Sequence, residues 1–164
     1  MNNEIGVLFL KDSSARLELM TGYLKTCLGK LTDEQVWERH GPHENAVGNL
    51  VLHMCGNMWQ WIMHGVGGTP DVRVRDKEFS AAGGVTGPEL VEHLESTVAE
   101  ARGVIDSFPP ERLMERTTPQ HREVSMLEAV YQVVTHLYTH GGQIILLTKQ
   151  LTGKDLDLTA PRPR

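Results

Sequence analysis

Hydrophobic residues recur every three or four positions along most of the chain, and this spacing predicts helices. Four long helices are predicted at about residues 4–28, 45–63, 87–108 and 126–151. Asn45 is the expected cap of the second helix, and Gly153 is expected to follow the end of the fourth. Three capping boxes, in which Thr or Ser is followed three residues later by Gln or Glu, begin at Thr32, Thr86 and Ser125.

The same pattern predicts the fold class. No segment alternates as a strand does, and no internal repeat is present. We therefore expect an all-α four-helix bundle, built by a single domain over residues 1–153, with a flexible C-terminal tail over residues 154–164. A long loop, residues 65–86, joins the second and third helices. Because connections in compact domains are usually shorter, we expect this loop to have a functional role.

Long stretches of two predicted helices contain no charged residues. Asp, Glu, Lys and Arg are absent from the 26 residues of Asn45 to Pro70 and from the 20 residues of Ala129 to Thr148. The chain average of 23% would place about 10 charges there. Asn, Gln, Thr and His recur too often in both stretches for a helix that faces lipid, so a membrane span is excluded. We expect both helices to be surrounded by protein.

Polar residues on these two helices fall on one face of each. At 100° per residue, the second helix aligns Asn49, His53, Asn57, Gln60 and His64. The fourth helix aligns Glu128, Gln132, His136, Thr139 and Gln143, with His140 close to His136. We expect the two rows to face each other inside the bundle. Such rows suit either a hydrogen-bonded network or a metal ion with its surrounding polar groups.

The histidine spacing favours a metal site. His136 and His140 are four positions apart, so both imidazoles can reach one ion from one face of a helix. A third ligand must come from elsewhere, and His53 is the candidate in the facing row. His64 lies about 16 Å further along its helix and cannot share that ion. The alternative is that these histidines are structural residues held by hydrogen bonds.

Other polar residues are candidates for contacts around the histidines. Asn57, Gln132 and Gln143 are expected to hold the ligands or to touch substrate, or else simply to pack. Arg73 and Arg75, in the long loop, are candidates for binding a substrate carboxylate, because a guanidinium group suits planar anions. The alternative for the charged residues of this loop is a solvated surface. No catalytic residue is assigned.

Composition excludes several classes of function. The net charge is −5, whereas nucleic-acid-binding proteins usually have a basic surface, so nucleic acid is not an expected partner. Cys27 and Cys55 are too few for a disulfide framework and are expected to be small core residues. The N-terminal residues lack the basic and long apolar regions of a signal peptide. We expect a soluble, cytoplasmic protein that acts on a small molecule.

Three motifs, in their order and spacing, resemble those of the DinB-like superfamily of metal-binding four-helix bundles. They are Trp37-Glu-Arg, Asn45-Ala-Val-Gly-Asn-Leu-Val-Leu-His53 and His136-Leu-Tyr-Thr-His140-Gly-Gly-Gln143-Ile. The resemblance covers about residues 5–152. It implies a divalent metal, zinc or nickel, held by one histidine of the second helix and two of the fourth. These positions correspond here to His53, His136 and His140. The resemblance also implies a homodimer.

The resemblance says less about the reaction. Characterised relatives include transferases and isomerases that use bacillithiol, mycothiol or glutathione, and others have been described as metal-dependent hydrolases. The segment Arg39-His40-Gly41-Pro42 departs from the Trp-Arg-Pro turn of the transferases, and the chain resembles a branch with no assigned reaction. We predict a metal-dependent thiol S-transferase that joins a low-molecular-weight thiol to a small electrophile.

One expectation about the site decides that choice. No Glu is expected beside the metal to act as a general base, because Glu128 lies about 12 Å along the helix from His136. This favours thiol chemistry over hydrolysis. The alternatives are a metal-dependent hydrolase and a non-catalytic, metal-stabilised dimeric binding bundle.

Overall fold

The computed structural model describes residues 3–159 and confirms the all-α four-helix bundle. Its helices are α1 (Asn3–Leu28), α2 (Asp33–Val36), α3 (Val47–Met58), α4 (Arg75–Ser80), α5 (Gly87–Ser107) and α6 (Met126–Thr152). Between α5 and α6 lie two 3-10 turns (Pro110–Arg112 and Pro119–His121) and an antiparallel pair of two-residue strands, β1 (Arg116–Thr117) and β2 (Val124–Ser125). The sequence pattern does not predict this small hairpin.

Four long helices enclose the core. Both α1 and α3 pack against α5 and α6, so α1 and α3 occupy opposite corners of the bundle. Fully buried side chains of the core come from all four helices and include Leu24, Met54, Leu90 and Leu137. Each such side chain contributes about 2 kcal/mol when it is removed from water. The two cysteines are free and buried, as expected for core residues.

Local signals account for most helix boundaries. All three predicted capping boxes are present, with reciprocal hydrogen bonds at Thr32, Thr86 and Ser125. α6 is followed by Gly153, whose φ of 64° is in the left-handed region that glycine adopts readily. The prediction of Asn45 as a cap is wrong. Ala46 is the N-cap of α3, and its N–H donates to the side chain of Asn49 at 3.1 Å.

α3 continues directly into a π-helical turn, Trp59–His64, so the second long helix ends close to its predicted limit. Turns of this kind are uncommon and recur at functional sites. Here the turn carries Gln60, whose Oε1 accepts a hydrogen bond from Nη1 of Arg73 at 3.0 Å. The turn thereby connects α3 to the long loop.

The long loop, residues 65–86, is folded onto α3 rather than extended into solvent. It contains α4, which packs on α3. Nδ2 of Asn49 donates to the carbonyl oxygens of Glu78 and Ala81 at 2.9 and 2.8 Å. Nη2 of Arg39 donates to the carbonyl oxygens of Phe79 and Ala81 at 3.0 and 2.8 Å. These bonds fix the end of α4 relative to α3.

The segment predicted as a flexible tail, residues 154–164, is anchored at two of its described positions. Leu156 is 2% exposed and belongs to the core, and Leu158 packs against it. Residues 160–164 of the predicted tail lie outside the described residues. Within residues 3–159, no helix is both long enough and apolar enough to cross a membrane.

Candidate metal centre

Histidines from the two helices that have long uncharged stretches meet inside the bundle. His53 of α3 and both His136 and His140 of α6 place nitrogen atoms within 4.8 Å of one another. The Nε2 atoms of His53 and His136 are 3.0 Å apart, and the three ring centres are separated by 4.4 to 5.1 Å. We call these residues the His triad. Among the described residues, no other group of three His, Cys, Asp or Glu could hold a metal ion.

The two histidines of α6 are held in their neutral form. Burial, followed by the neighbouring His140 and His53, lowers the pKa of His136 from 6.5 to about 3. Burial also lowers the pKa of His140, although its hydrogen bond with Gln143 acts in the opposite direction. A neutral imidazole keeps a lone pair for a metal, so this environment suits ligand histidines.

A carboxylate from the long loop supports His53. Glu78 of α4 is 8% exposed, and its Oε2 lies 2.9 Å from Nδ1 of His53. An ionised carboxylate accepts hydrogen bonds and donates none, so this contact places the proton on Nδ1. The Nε2 lone pair is then free to face the other two histidines. Glu78 is a carboxylate near the site that the sequence does not suggest, but it meets the outer nitrogen of His53.

Arg73 pairs with this carboxylate in the protein interior. Its Nε donates to Oε1 of Glu78 at 2.7 Å, its Nη2 donates to Oε2 at 2.8 Å, and its side chain is 2% exposed. Nη2 also lies 3.1 Å from Nδ1 of His53, but a guanidinium only donates, so with the proton on Nδ1 this contact is not a hydrogen bond. Burial acts to raise the pKa of Glu78, but hydrogen bonds from Arg73 and His53 outweigh it and hold that pKa below its usual value. Glu78 is therefore ionised and already paired.

This pairing gives different roles to Arg73 and Arg75, the two arginines that the sequence suggests for binding a substrate anion. A substrate carboxylate would have to displace Glu78 to reach Arg73. Arg75 is exposed, and its guanidinium carbon lies 4.7 Å from the ring centre of Phe79. The Phe79 ring is in turn 4.7 Å from the ring of His53. Arg75 is thus the arginine that solvent and a dissolved anion can reach.

The three polar residues predicted around the histidines differ in their contacts. Oε1 of Gln143 lies 2.7 Å from Nδ1 of His140, so it orients that ring with Nε2 toward the triad. Asn57 is 3% exposed, and its Oδ1 has no hydrogen-bond partner among the described residues. Gln132 is half-buried, and within the described residues its side chain makes no hydrogen bond to the triad. The structure thus connects Gln143 alone of the three to a triad histidine.

Glu78 and Phe79 are not among the site residues that the sequence suggests. The useful signal is the length of the loop, which indicates a functional segment without indicating which residue acts. Asp71, Asp76 and Glu78 are equivalent carboxylates in the sequence. The docking of α4 on α3 is what buries Glu78 and leaves Asp71 and Asp76 exposed.

Comparison with known proteins places this bundle in a family. The family model described as a protein of unknown function (DUF1572) matches residues 4–164. The chain belongs to the DUF1572 family. No curated protein matches this DUF1572 chain.

Two solved structures are similar to this DUF1572 protein. A conserved protein from Enterococcus faecalis is 16% identical with a TM-score of 0.72, over 88% of this chain and 97% of the other. A DinB-like protein from Bacillus cereus is 16% identical with a TM-score of 0.68, over 87% and 90% of the two chains. At this identity the likenesses show the fold alone, and they confirm the predicted helical bundle.

Proposed function

We propose that this protein binds a divalent metal through His53, His136 and His140 and acts as a thiol S-transferase on small electrophiles. The observation that carries the proposal is the chemistry of the donor set. Three imidazoles converge, and His53 and His140 each have their other ring nitrogen hydrogen-bonded to a side-chain oxygen. Ligand histidines in metalloproteins are usually held in this way. Imidazole ligands suit zinc and nickel.

The metal is proposed to have a chemical rather than a structural role. Three protein ligands are the number found in catalytic zinc sites, whereas structural sites have four. A divalent metal bound in this way stabilises the deprotonated form of a thiol or of water at its open position. The bundle has its own apolar core, so we expect it to fold without the metal.

The surroundings of the triad favour a thiol over water. Hydrolysis ordinarily needs a general base within hydrogen-bond reach of the attacking water. Glu78 is paired with Arg73 and His53, and Glu128 is engaged in the capping box of α6. No third carboxylate in residues 3–159 groups with the triad. A thiol, with a pKa of about 8.5, loses its proton far more readily than water and needs no such base.

The thiol is proposed to come from a co-substrate. Cys27 and Cys55 are both buried, and burial raises the pKa of Cys55 to about 12, so neither can serve as the nucleophile. In the proposed reaction the thiol sulfur forms a bond to an electrophilic carbon. The bond from that carbon to its leaving group breaks, the leaving group keeps the electron pair, and the thiol proton passes to solvent.

Polar residues near the triad are proposed to position the reactants. Gln143 orients His140, and Asn57 offers a buried amide oxygen without a partner among the described residues. Gln132 remains a candidate for substrate contact. Arg75 is the proposed contact for an anionic group of the thiol or the electrophile, because it is exposed beside Phe79. Arg73, although suggested by the sequence for that role, is proposed to support the site instead.

The reaction is tested with metal-loaded protein and bacillithiol, mycothiol and glutathione separately. The electrophiles are a halogenated aromatic compound and an epoxide, and conjugate formation is followed by mass spectrometry. We expect conjugation with one of the thiols and its loss in His140→Ala. If the protein neither binds a thiol nor forms a conjugate but hydrolyses an ester or amide, it is a hydrolase instead. The homodimer is a separate proposal, which light scattering after gel filtration tests.

A further inference from the structure

We infer that the long loop is a clamp that fixes the side chain of His53, and that Gly56 is the position on α3 that admits it. The inference rests on the metal site of the proposed function and adds positioning residues to it. The clamp consists of Arg73 and Glu78, both carried by residues 65–86. Gly56 is not a ligand and has no side chain, so its role is to leave space.

The space at Gly56 is occupied by the clamp itself. Gly56 follows His53 by three positions, on the same side of α3. A Cβ atom placed on Gly56 would lie 2.0 Å from Oε1 of Glu78, 2.8 Å from its Cδ and 2.9 Å from Nε of Arg73. Any other residue would therefore occupy the volume of the carboxylate. Glycine is otherwise unfavourable within a helix, so close approach explains its presence here.

The clamp cannot move aside easily. Asn49 and Arg39 donate hydrogen bonds to backbone carbonyls at the end of α4, which fixes the backbone that carries Glu78. The carboxylate is also held by two bonds from Arg73. A methyl group at position 56 must then push the carboxylate away from Nδ1 of His53.

Displacing the carboxylate has a definite consequence for His53. With Glu78 in place, Nδ1 carries the proton and Nε2 faces the other two histidines. Without it, His53 loses the bond that selects this tautomer and fixes its ring. Loss of such a partner weakens metal binding by about 10- to 100-fold. Gly56 and Glu78 thus act through His53, and neither touches the reacting atoms.

The decisive variant is Gly56→Ala, with Gly103→Ala as its matched control. Both add one methyl group within a helix, but an added Cβ at Gly103, on α5, meets nothing within 4 Å. Zinc affinity is measured by competition with a chromogenic chelator. We expect roughly 10- to 100-fold weaker binding for Gly56→Ala and unchanged binding for Gly103→Ala. Equal affinity of Gly56→Ala and the wild type would overturn the inference.

Two further measurements separate positioning from misfolding. The nitrogen chemical shifts of His53 in the metal-free protein report its tautomer, which we expect to be Nδ1–H in the wild type and mixed in Gly56→Ala. If Gly56→Ala does not fold, Glu78→Gln, which keeps the shape of the side chain, replaces it in both measurements. A folded Glu78→Gln with wild-type zinc affinity and wild-type shifts contradicts the clamp.

The zinc-affinity and chemical-shift measurements distinguish failure of the clamp from failure of the proposed function. A wild-type protein that binds no zinc refutes the proposed function, and the clamp is then judged on the His53 tautomer alone. A wild-type protein that binds zinc, with unchanged affinity in Gly56→Ala and Glu78→Gln, refutes the clamp and leaves the metal site intact.

Discussion

The two sides of the His triad are supported in different ways. On the α3 side, His53 is 7% exposed and is held by the buried Glu78 and Arg73, which lie 25 and 20 residues later in the chain. On the α6 side, His140 is held by Gln143, one helical turn away and exposed. Support from α3 thus depends on tertiary docking of a loop, whereas support from α6 follows from helix geometry alone. Disrupting either should weaken metal binding, but disrupting the first should also cost much stability, whereas disrupting the exposed second should cost little stability.

The largest effect on metal content is expected when a ligand histidine is removed, because the ion needs ligands from both sides of the triad. Metal-loaded wild type should contain about one zinc or nickel ion per chain. His53→Ala, His136→Ala and His140→Ala should each lose most of it, because two imidazoles hold such an ion poorly. Elemental analysis of dialysed protein measures the content. Unchanged metal content in all three variants would show that the site is misassigned.

The next largest effect separates the two sides. Arg73→Ala leaves the carboxylate of Glu78 buried without its cationic partner and with only His53 to bond it, and we expect a loss of about 3 kcal/mol in the free energy of unfolding. Gln143→Ala removes an exposed hydrogen bond and should cost less than about 1 kcal/mol. Urea unfolding of the metal-free proteins measures both. Equal losses would mean that the loop is no more important to the site than the helix.

The contrast between local support and tertiary support also explains which features could be predicted from the sequence. The capping boxes at Thr32, Thr86 and Ser125 are confirmed because a cap depends on residues three apart. The row on α6 brings His136 and His140 together for the same reason. The absence of charge from two stretches predicts that both are surrounded by protein, and this is correct for α3. It is wrong for α6, which keeps an exposed face that includes Tyr131, 60% exposed, and Leu146, 57% exposed.

The rest of the site depends on contacts that local patterns do not contain. Glu78 and Arg73 belong to a loop rich in charge, where a solvated surface is the ordinary interpretation. Their burial follows from the docking of α4 on α3 and from the space at Gly56. A glycine in the middle of an uncharged helix is a signal of close approach, but it does not identify what approaches.

A smaller effect is expected from pH, and it arises mainly on the α6 side. Burial lowers the pKa of His136 in the folded protein to about 3, below its value in the unfolded chain, so the unfolded chain binds more protons. The metal-free protein should therefore lose stability as the pH falls from about 6.5 toward 3. Because the side chain is only partly buried, we expect a loss on the order of 1 kcal/mol by about pH 5.

Urea unfolding across this pH range checks whether the free energy of unfolding falls as the pH falls. His136→Gln is the comparison. The variant should show a flatter dependence between about pH 6.5 and pH 5. Glu78, whose pKa is lowered, adds a loss only below its unfolded value of about 4.3, so it does not mask this window. A wild-type profile as flat as that of His136→Gln would contradict the assignment to His136.

The smallest effect is expected from removal of the metal itself. A zinc finger unfolds without its ion because it has almost no other core. Here one continuous apolar core joins α1, α3, α5 and α6, and hydrogen bonds to Glu78 and Gln143 hold His53 and His140 without an ion. We expect the helical circular dichroism signal to be unchanged after chelation, in wild type and in Gln143→Ala alike. Loss of most of that signal would make the metal structural and would weaken the case for an enzyme. Since the α3 side is fixed by the clamp, any loosening that chelation does cause should appear first in the backbone amide exchange of α6 near His140.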